Sequence, residues 1–126
     1  MSFTNYTETE VLEWLFTAGS VTRPSAWYVG LFTSAPSDPG GGTELSGSNY
    51  AREAVVFTVS GDTASNNANI EFNAATGSWG TITYAAIFDA SSGGNMIAYA
   101  ALSASKEIGT GDILRIPTGD LDVTLD

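Results

Sequence analysis

Apolar residues recur at helical spacing near the start of the chain, and there they share one face: Val11, Leu12, Leu15 and Phe16. Thr7 stands three residues before Glu10, which is the capping-box pattern of a helix start. Gly19 follows as the expected stop. The pattern predicts one amphipathic helix over residues 7–16. Its apolar face needs cover, either from a sheet of this chain or from a neighbouring subunit.

After residue 24, short runs of apolar residues, several of them alternating with polar ones, are separated by Gly, Asp, Ser and Pro. These runs predict strands at residues 26–32, 53–59, 70–72, 79–89, 96–103, 113–116 and 121–125, with the polar segment 64–68 outside them. One-sided sheets bury their inner faces against each other. The predicted fold is therefore all-β, a two-sheet β-sandwich or jelly roll of about seven to eight strands with one short N-terminal α-helix. We expect a helical arm over residues 1–20 and a β-sandwich domain over residues 21–126.

A long loop rich in Gly, Ser and Pro follows the first predicted strand and ends near Arg52. Loops of this length are usually functional or disordered. Leu45 and Tyr50 can anchor this one, so we expect it to be ordered. Gly30 lies inside the strand, where glycine often marks a close approach or a bulge. Arg52 at the next strand start suits an ordered bidentate contact, and the alternative is a surface cation with no measurable role.

The excess of acidic residues indicates which classes of molecule the chain is expected not to bind. The chain has 14 acidic and 4 basic residues and a formal charge of −10. Such a surface repels phosphate backbones and anionic lipids, so we expect neither nucleic acid nor a membrane as a direct partner. No stretch approaches the roughly 18 apolar residues of a membrane span, and no secretion signal is expected. Tryptophan is enriched at interfaces, but a core position is the expectation for Trp14, Trp27 and Trp79.

Candidate catalytic and metal-binding chemistry is sparse. The chain has no cysteine and no histidine, so thiolate ligands and the commonest general base are missing. Asp120 and Asp122 lack the alternating acidic run of a calcium loop, and we expect no metal and no cofactor. Glu71 and Asp89 are the carboxylates that helix caps and turns do not explain. They are the candidate pair for sugar cleavage.

A set of segments spread along the chain forms a recognisable pattern: residues 27–36 (WYVGLFTSAP), 42–47 (GTELSG), 49–55 (NYAREAV), 78–83 (SWGTIT), 87–90 (IFDA), 93–95 (GGN), 98–102 (AYAAL), 105–106 (SK) and 119–121 (GDL). These segments resemble a family of small tailed-bacteriophage virion proteins, described as tail-fibre-like, head-fibre or capsid decoration proteins. The resemblance covers nearly the whole chain, including the N-terminal helix. It implies a structural part of the virion and brings no catalytic residues.

The leading hypothesis is a capsid decoration (cement) protein, trimeric, that binds the major capsid protein and clamps neighbouring shell subunits together. The alternative is a tail- or head-fibre module whose loops 33–50 and 91–95 touch a host surface. The third hypothesis is a sugar-cleaving enzyme. The residues that we predict at an interface come from the helix face and the long loop: Leu12, Leu15, Phe16, Leu45, Tyr50 and Arg52.

Overall fold

A computed structural model describes residues 1–125 of the chain. This part contains one helix, α1 (Asn5–Phe16), and eleven strands. The strands are β1 (Ser2–Phe3), β2 (Trp27–Ser34), β3 (Thr43–Glu44), β4 (Glu53–Val55), β5 (Phe57–Ser60), β6 (Thr63–Asn66), β7 (Ile70–Glu71), β8 (Gly80–Phe88), β9 (Met96–Ile108), β10 (Arg115–Ile116) and β11 (Asp122–Thr124). The predicted all-β fold with one N-terminal helix is confirmed. The jelly-roll connectivity and the division at residue 20 stay predictions.

The strands form one large sheet and two small ones. The large sheet has the order β1-β9-β8-β2-β3, and β4 also pairs with β2. The small sheets are β11-β6-β5 and β10-β7. Every pair is antiparallel. Strand β8 pairs with β2 on one side and β9 on the other, so these three strands form the centre of the large sheet.

The two faces of the large sheet carry separate apolar clusters. Val29 and Leu31 of β2 belong to the main core, which they share with residues of both small sheets and of the segments beside them. The opposite face carries Phe32, Ala86 and Phe88, and the two phenylalanine rings stack with centroids 6.1 Å apart. Burial on both faces explains why residues 26–32 are apolar at successive positions, where a half-exposed strand would alternate.

Three predicted strand boundaries are wrong. The run 53–59 is divided between β4 and β5, which belong to different sheets, and Val56 between them is exposed. Strand β6 lies in the polar segment that the sequence leaves outside the strands, because β5 and β11 pair with it on either side. Strand β9 continues to Ile108 instead of ending at residue 103, and a bulge interrupts its pairing with β8. In each case pairing partners distant in sequence decide the boundary.

Helix α1 begins earlier than predicted, since Thr4 and not Thr7 is its N-cap. The Thr4 hydroxyl accepts a hydrogen bond from the Thr7 N–H at 3.4 Å and donates one to the Met96 carbonyl at 2.6 Å. The Thr7 hydroxyl donates to the Ile97 carbonyl at 2.7 Å. Both threonines are buried, so these bonds hold the first turn of α1 against β9. The helix ends at Phe16, before Gly19.

Candidate functional site

Glu44 and Arg52 form an ion pair that is bonded at two points. Arg52 Nε donates to Glu44 Oε2 and Arg52 Nη2 donates to Glu44 Oε1, each at 2.8 Å. Two parallel bonds of this kind fix both side chains. The Arg52 side chain is 8% exposed, and its guanidinium carbon lies 3.4 Å from the centre of the Phe88 ring. The predicted bidentate contact of Arg52 is therefore confirmed, and the alternative of a surface cation is wrong.

Tyr50 completes this ion-pair cluster by bonding the same carboxylate. Its hydroxyl donates to Glu44 Oε2 at 2.7 Å and accepts the Leu31 N–H at 3.0 Å. Its ring stacks on Phe72 and meets Trp79 edge to face. Burial, followed by the hydrogen bond to Glu44, raises the pKa of the Tyr50 hydroxyl well above its usual value, so the hydroxyl remains a donor.

Gly30 provides the space that the cluster occupies. A Cβ atom at this position would lie 2.8 Å from Glu44 Oε2, 3.0 Å from Phe88 Cε2 and 3.3 Å from the Tyr50 hydroxyl oxygen. Of the two alternatives that the sequence allows at this mid-strand glycine, a close approach or a bulge, the structure shows the close approach. The groups that approach are side chains of the following loop and of β8.

The later part of the long loop is anchored to the rest of the chain, and the loop is ordered as predicted. Trp79 Nε1 donates to the Ser48 carbonyl at 2.9 Å, and the Thr76 N–H donates to the same oxygen at 3.1 Å. Ser48 and Asn49 have φ angles of 49° and 69°, the left-handed region that residues other than glycine seldom adopt. The Asn49 side chain donates to the Ala74 carbonyl at 3.0 Å. Contacts with residues distant in sequence thus hold the loop in an unusual backbone conformation.

Arg52 also joins the long loop to the hairpin between β8 and β9. Its Nη1 donates to the Ala90 and Gly93 carbonyls, each at 2.8 Å. Asp89 closes the same hairpin, accepting bonds from the Asn95 backbone at 2.7 Å and side-chain amide at 2.9 Å. Residues 40–42 of the loop and 94–96 of the hairpin line one pocket of about 440 Å³. The structure therefore brings the two loops named in the fibre hypothesis to one end of the molecule, which we call the loop end.

A second surface lies on α1, where three predicted interface residues are exposed. Leu12 is 57%, Leu15 56% and Phe16 77% exposed, and we call these three residues the α1 stripe. Trp14 is 69% exposed, so its predicted core position is wrong, whereas Trp79 is buried as expected. Within residues 1–125 no sheet covers the α1 stripe. Such cover is one of the two predicted possibilities.

The other three predicted interface residues make their contacts inside the protomer. Leu45 packs against the main core, and Tyr50 and Arg52 belong to the ion-pair cluster. A contact of any of the six with another molecule stays a prediction. Sequence reasoning missed Glu44 as the partner of Arg52, and the isolated Thr-Glu after three glycines offers no signal for that role. It also missed the exposure of Trp14.

The candidate catalytic and metal-binding carboxylates bind different partners within the chain and do not form one site. Glu71 lies on β7 beside Arg115, with 4.0 Å between Glu71 Oε2 and Arg115 Nε, and Asp89 holds the hairpin described above. Asp122 accepts a hydrogen bond from the Ser65 hydroxyl. Residues 1–125 contain no group of three or more carboxylates that could hold a metal ion. Within the same range, α1 has neither the length nor the apolar character of a bilayer-crossing helix.

Comparison with known families gives a match over almost the full length. A family model described as "Podophage GP4 fiber I protein gp80" matches residues 2–124. A search of curated protein sequences finds no significant match. The family match agrees with the resemblance that the sequence motifs show, and it confirms the predicted virion location. This chain belongs to the podophage fiber I protein family and is a structural protein of a bacteriophage virion.

Proposed function

We propose that the chain is a fibre-type subunit on the exterior of the phage particle, and that the loop end is the surface it presents to the host. The family match over residues 2–124 supports a fibre role. The observation that carries the proposal is that Arg52 ties the long loop and the 91–95 hairpin into one rigid end. Two loops that are ordered before binding lose little conformational entropy when they dock.

The loop end has features of a contact surface. Residues 40–42 are glycines with positive φ, and at Gly40 and Gly41 an added Cβ would meet nothing within 4 Å. Another molecule can therefore approach the backbone there closely. Beneath this open tip, the buried ion pair and the stacked phenylalanine rings provide a rigid support. Nothing in this arrangement requires a reaction, and the proposal assigns none.

The test is a phage that lacks this chain or carries a variant of its loop end. Ser92→Lys places a long cation at the exposed hairpin tip, and Thr58→Lys places the same side chain on the exposed outer face of β5. We expect deletion and Ser92→Lys to reduce the rate of adsorption to host cells, while Thr58→Lys leaves it unchanged. Adsorption at the wild-type rate after deletion would overturn the host-contact role.

A capsid decoration role is the second candidate. It is favoured by the α1 stripe, which nothing else in residues 1–125 covers. In this role the chain binds the major capsid protein as a homotrimer and strengthens the shell. Hundreds of copies per particle, and loss of packaged DNA on heating after deletion, would favour it. A few copies per particle with unchanged thermal stability would rule it out.

A further inference from the structure

The pocket at the loop end is polar, and among residues 1–125 no lysine or arginine lines it. Its volume is about 440 Å³, and four of its fourteen lining residues are glycines. Residues 40–42 come from the long loop, residues 94–96 from the hairpin, and Asn5 and Tyr6 from the start of α1. This volume lies within the roughly 300–1,000 Å³ of pockets that bury a ligand. We call it the loop-end pocket.

The loop-end pocket carries a negative charge. Two carboxylates line it, those of Asp38 and Glu44, and Arg52 neutralises Glu44 by the ion pair described above. Asp38 accepts a hydrogen bond from the uncharged hydroxyl of Tyr99 at 2.5 Å. No basic side chain within residues 1–125 forms an ion pair with Asp38. An uncompensated carboxylate, in a chain of charge −10, disfavours phosphate, sulfate and carboxylate groups in this pocket.

Two hydrogen-bond acceptors of the pocket are held in place by the protein. The Asp38 side chain is fixed through Oδ1 by Tyr99, and its backbone carbonyl accepts the Asn5 N–H at 2.9 Å. Asn95 donates to Asp89 from both its backbone and its side-chain amide. Within the described residues, no group donates to Asp38 Oδ2 or to Asn95 Oδ1. Acceptors that are fixed and open suit a ligand rich in hydroxyl donors.

The same pocket has apolar surface. The stacked rings of Phe32 and Phe88 line it, together with the half-buried side chains of Tyr6 and Met96. A sugar ring has hydroxyl groups around its rim and C–H groups on its faces, so it can contact acceptors and apolar surface together. A metal ion or an ammonium ion would leave most of the volume and all of the apolar surface uncovered.

We infer that the loop-end pocket binds a neutral saccharide, whose hydroxyl groups donate to Asp38 and Asn95 and whose C–H faces contact Tyr6. The inference rests on the host-contact role proposed above, because it names the chemical class that the loop end meets on a host surface. The loop and the hairpin form the pocket before the sugar arrives, which lowers the entropic cost of binding. The charge of Asp38 excludes acidic sugars, so the pocket discriminates among surface polysaccharides.

Titration followed by nuclear magnetic resonance locates such a ligand in a protein of 13.1 kDa. The probe is the surface polysaccharide of the host strain, cut to oligosaccharides and divided into neutral and acidic fractions by anion exchange. We expect the neutral fraction to shift the backbone amide signals of residues 40–42 and 94–96, and the acidic fraction to shift none. The affinity should change less than about 2-fold when NaCl is raised, since salt screens only charges.

Two pairs of variants test the contacts. Asp38→Ala should weaken binding of the neutral fraction about 10-fold, because bonds to a charged acceptor are strong. Its matched control is Asp62→Ala, since Asp62 is an exposed carboxylate that also accepts from a hydroxyl, that of Thr63, outside the pocket. Tyr6→Ala should weaken binding too, whereas Trp14→Ala, at an exposed aromatic of the same helix outside the pocket, should not. The amide spectrum of each variant shows whether it is folded.

Several results would overturn the inference. Shifts caused by the acidic fraction, shifts confined to residues outside the loop-end pocket, or an affinity that falls with salt would each contradict a neutral saccharide at this place. An equal loss of binding in Asp38→Ala and Asp62→Ala would do the same. If no fraction causes shifts while Ser92→Lys still reduces adsorption, the loop end meets a host protein, and the inference fails while the proposed function stands.

Discussion

Removing Arg52 is the sharpest test of how this fold is held together. Arg52→Ala deletes both bonds to Glu44, two bonds to backbone carbonyls and the contact with the Phe88 ring. Breaking a fully buried ion pair costs about 3–5 kcal/mol. Glu44 is 24% exposed, so water can solvate it partly and lower that figure. The lost ring contact adds about 0.5–2 kcal/mol. We expect the free energy of unfolding to fall by about 3 kcal/mol.

The expected loss is large enough to read from thermal melting. A chain of 126 residues unfolds with an entropy of about 0.26 kcal/mol/K. A loss of about 3 kcal/mol therefore lowers Tm by about 11 °C, measured by circular dichroism at a concentration where the protein is monomeric. The matched control is Arg115→Ala, because Arg115 makes a 4.0 Å ion pair in which both side chains are more than half exposed. Exposed pairs contribute at most about 1 kcal/mol.

Two outcomes would refute the reasoning. If Arg52→Ala lowered Tm no further than Arg115→Ala does, the buried cluster would not stabilise the fold. If a double-mutant cycle with Glu44→Gln gave a coupling energy near zero, the loss would come from packing of the Arg52 side chain and not from the ion pair.

Three further predictions concern buried groups. Gly30→Ala should lower the free energy of unfolding in urea by about 1–3 kcal/mol, because its Cβ would crowd Glu44; an unchanged midpoint would show that the cluster can move aside. Asn66→Ala should cost about 3 kcal/mol, since Asn66 bonds two backbone carbonyls and one backbone N–H, while the exposed Asn67→Ala should be nearly neutral in the same titration. The raised pKa of Tyr50 means that the folded protein keeps a proton that the unfolded chain loses above about pH 10. Stability should therefore fall as pH rises above that value, and the fall should be shallower in Tyr50→Phe, as followed by melting at each pH.

The sequence predicts well those elements that are specified locally. Strand β8 lies where the alternation places it, and one helix occupies the amphipathic stretch. The start of that helix could not be decided from the sequence. Both Thr4 and Thr7 are suitable caps, and the choice depends on carbonyls of Met96 and Ile97, some ninety residues later. Strand β6 was missed for a similar reason: its Asn66 is buried because backbone groups far along the chain hydrogen-bond it.

The candidate site divides in the same way. An ordered, bidentate Arg52 follows from its position next to a strand start, and a close approach follows from a glycine inside a strand. The path of the loop brings Gly30, Glu44 and Arg52 into a single cluster. No local sequence pattern specifies that path. The apolar pattern of α1 allows cover by a sheet of this chain or by a neighbouring subunit. The docking of its first turn on β9 leaves that face exposed in the protomer.

The attachment of α1 to β9 has a consequence for synthesis of the protein. The ribosome makes residues 5–16 long before residues 96–108, and at roughly 5–20 residues per second this leaves an interval of several seconds. During that time the helical segment has no strand to bind. Like charges on its glutamates oppose association of the stretch that contains Leu12, Leu15 and Phe16 with other copies of itself. Negative charge beside these apolar residues favours solubility of the segment until β9 has been translated.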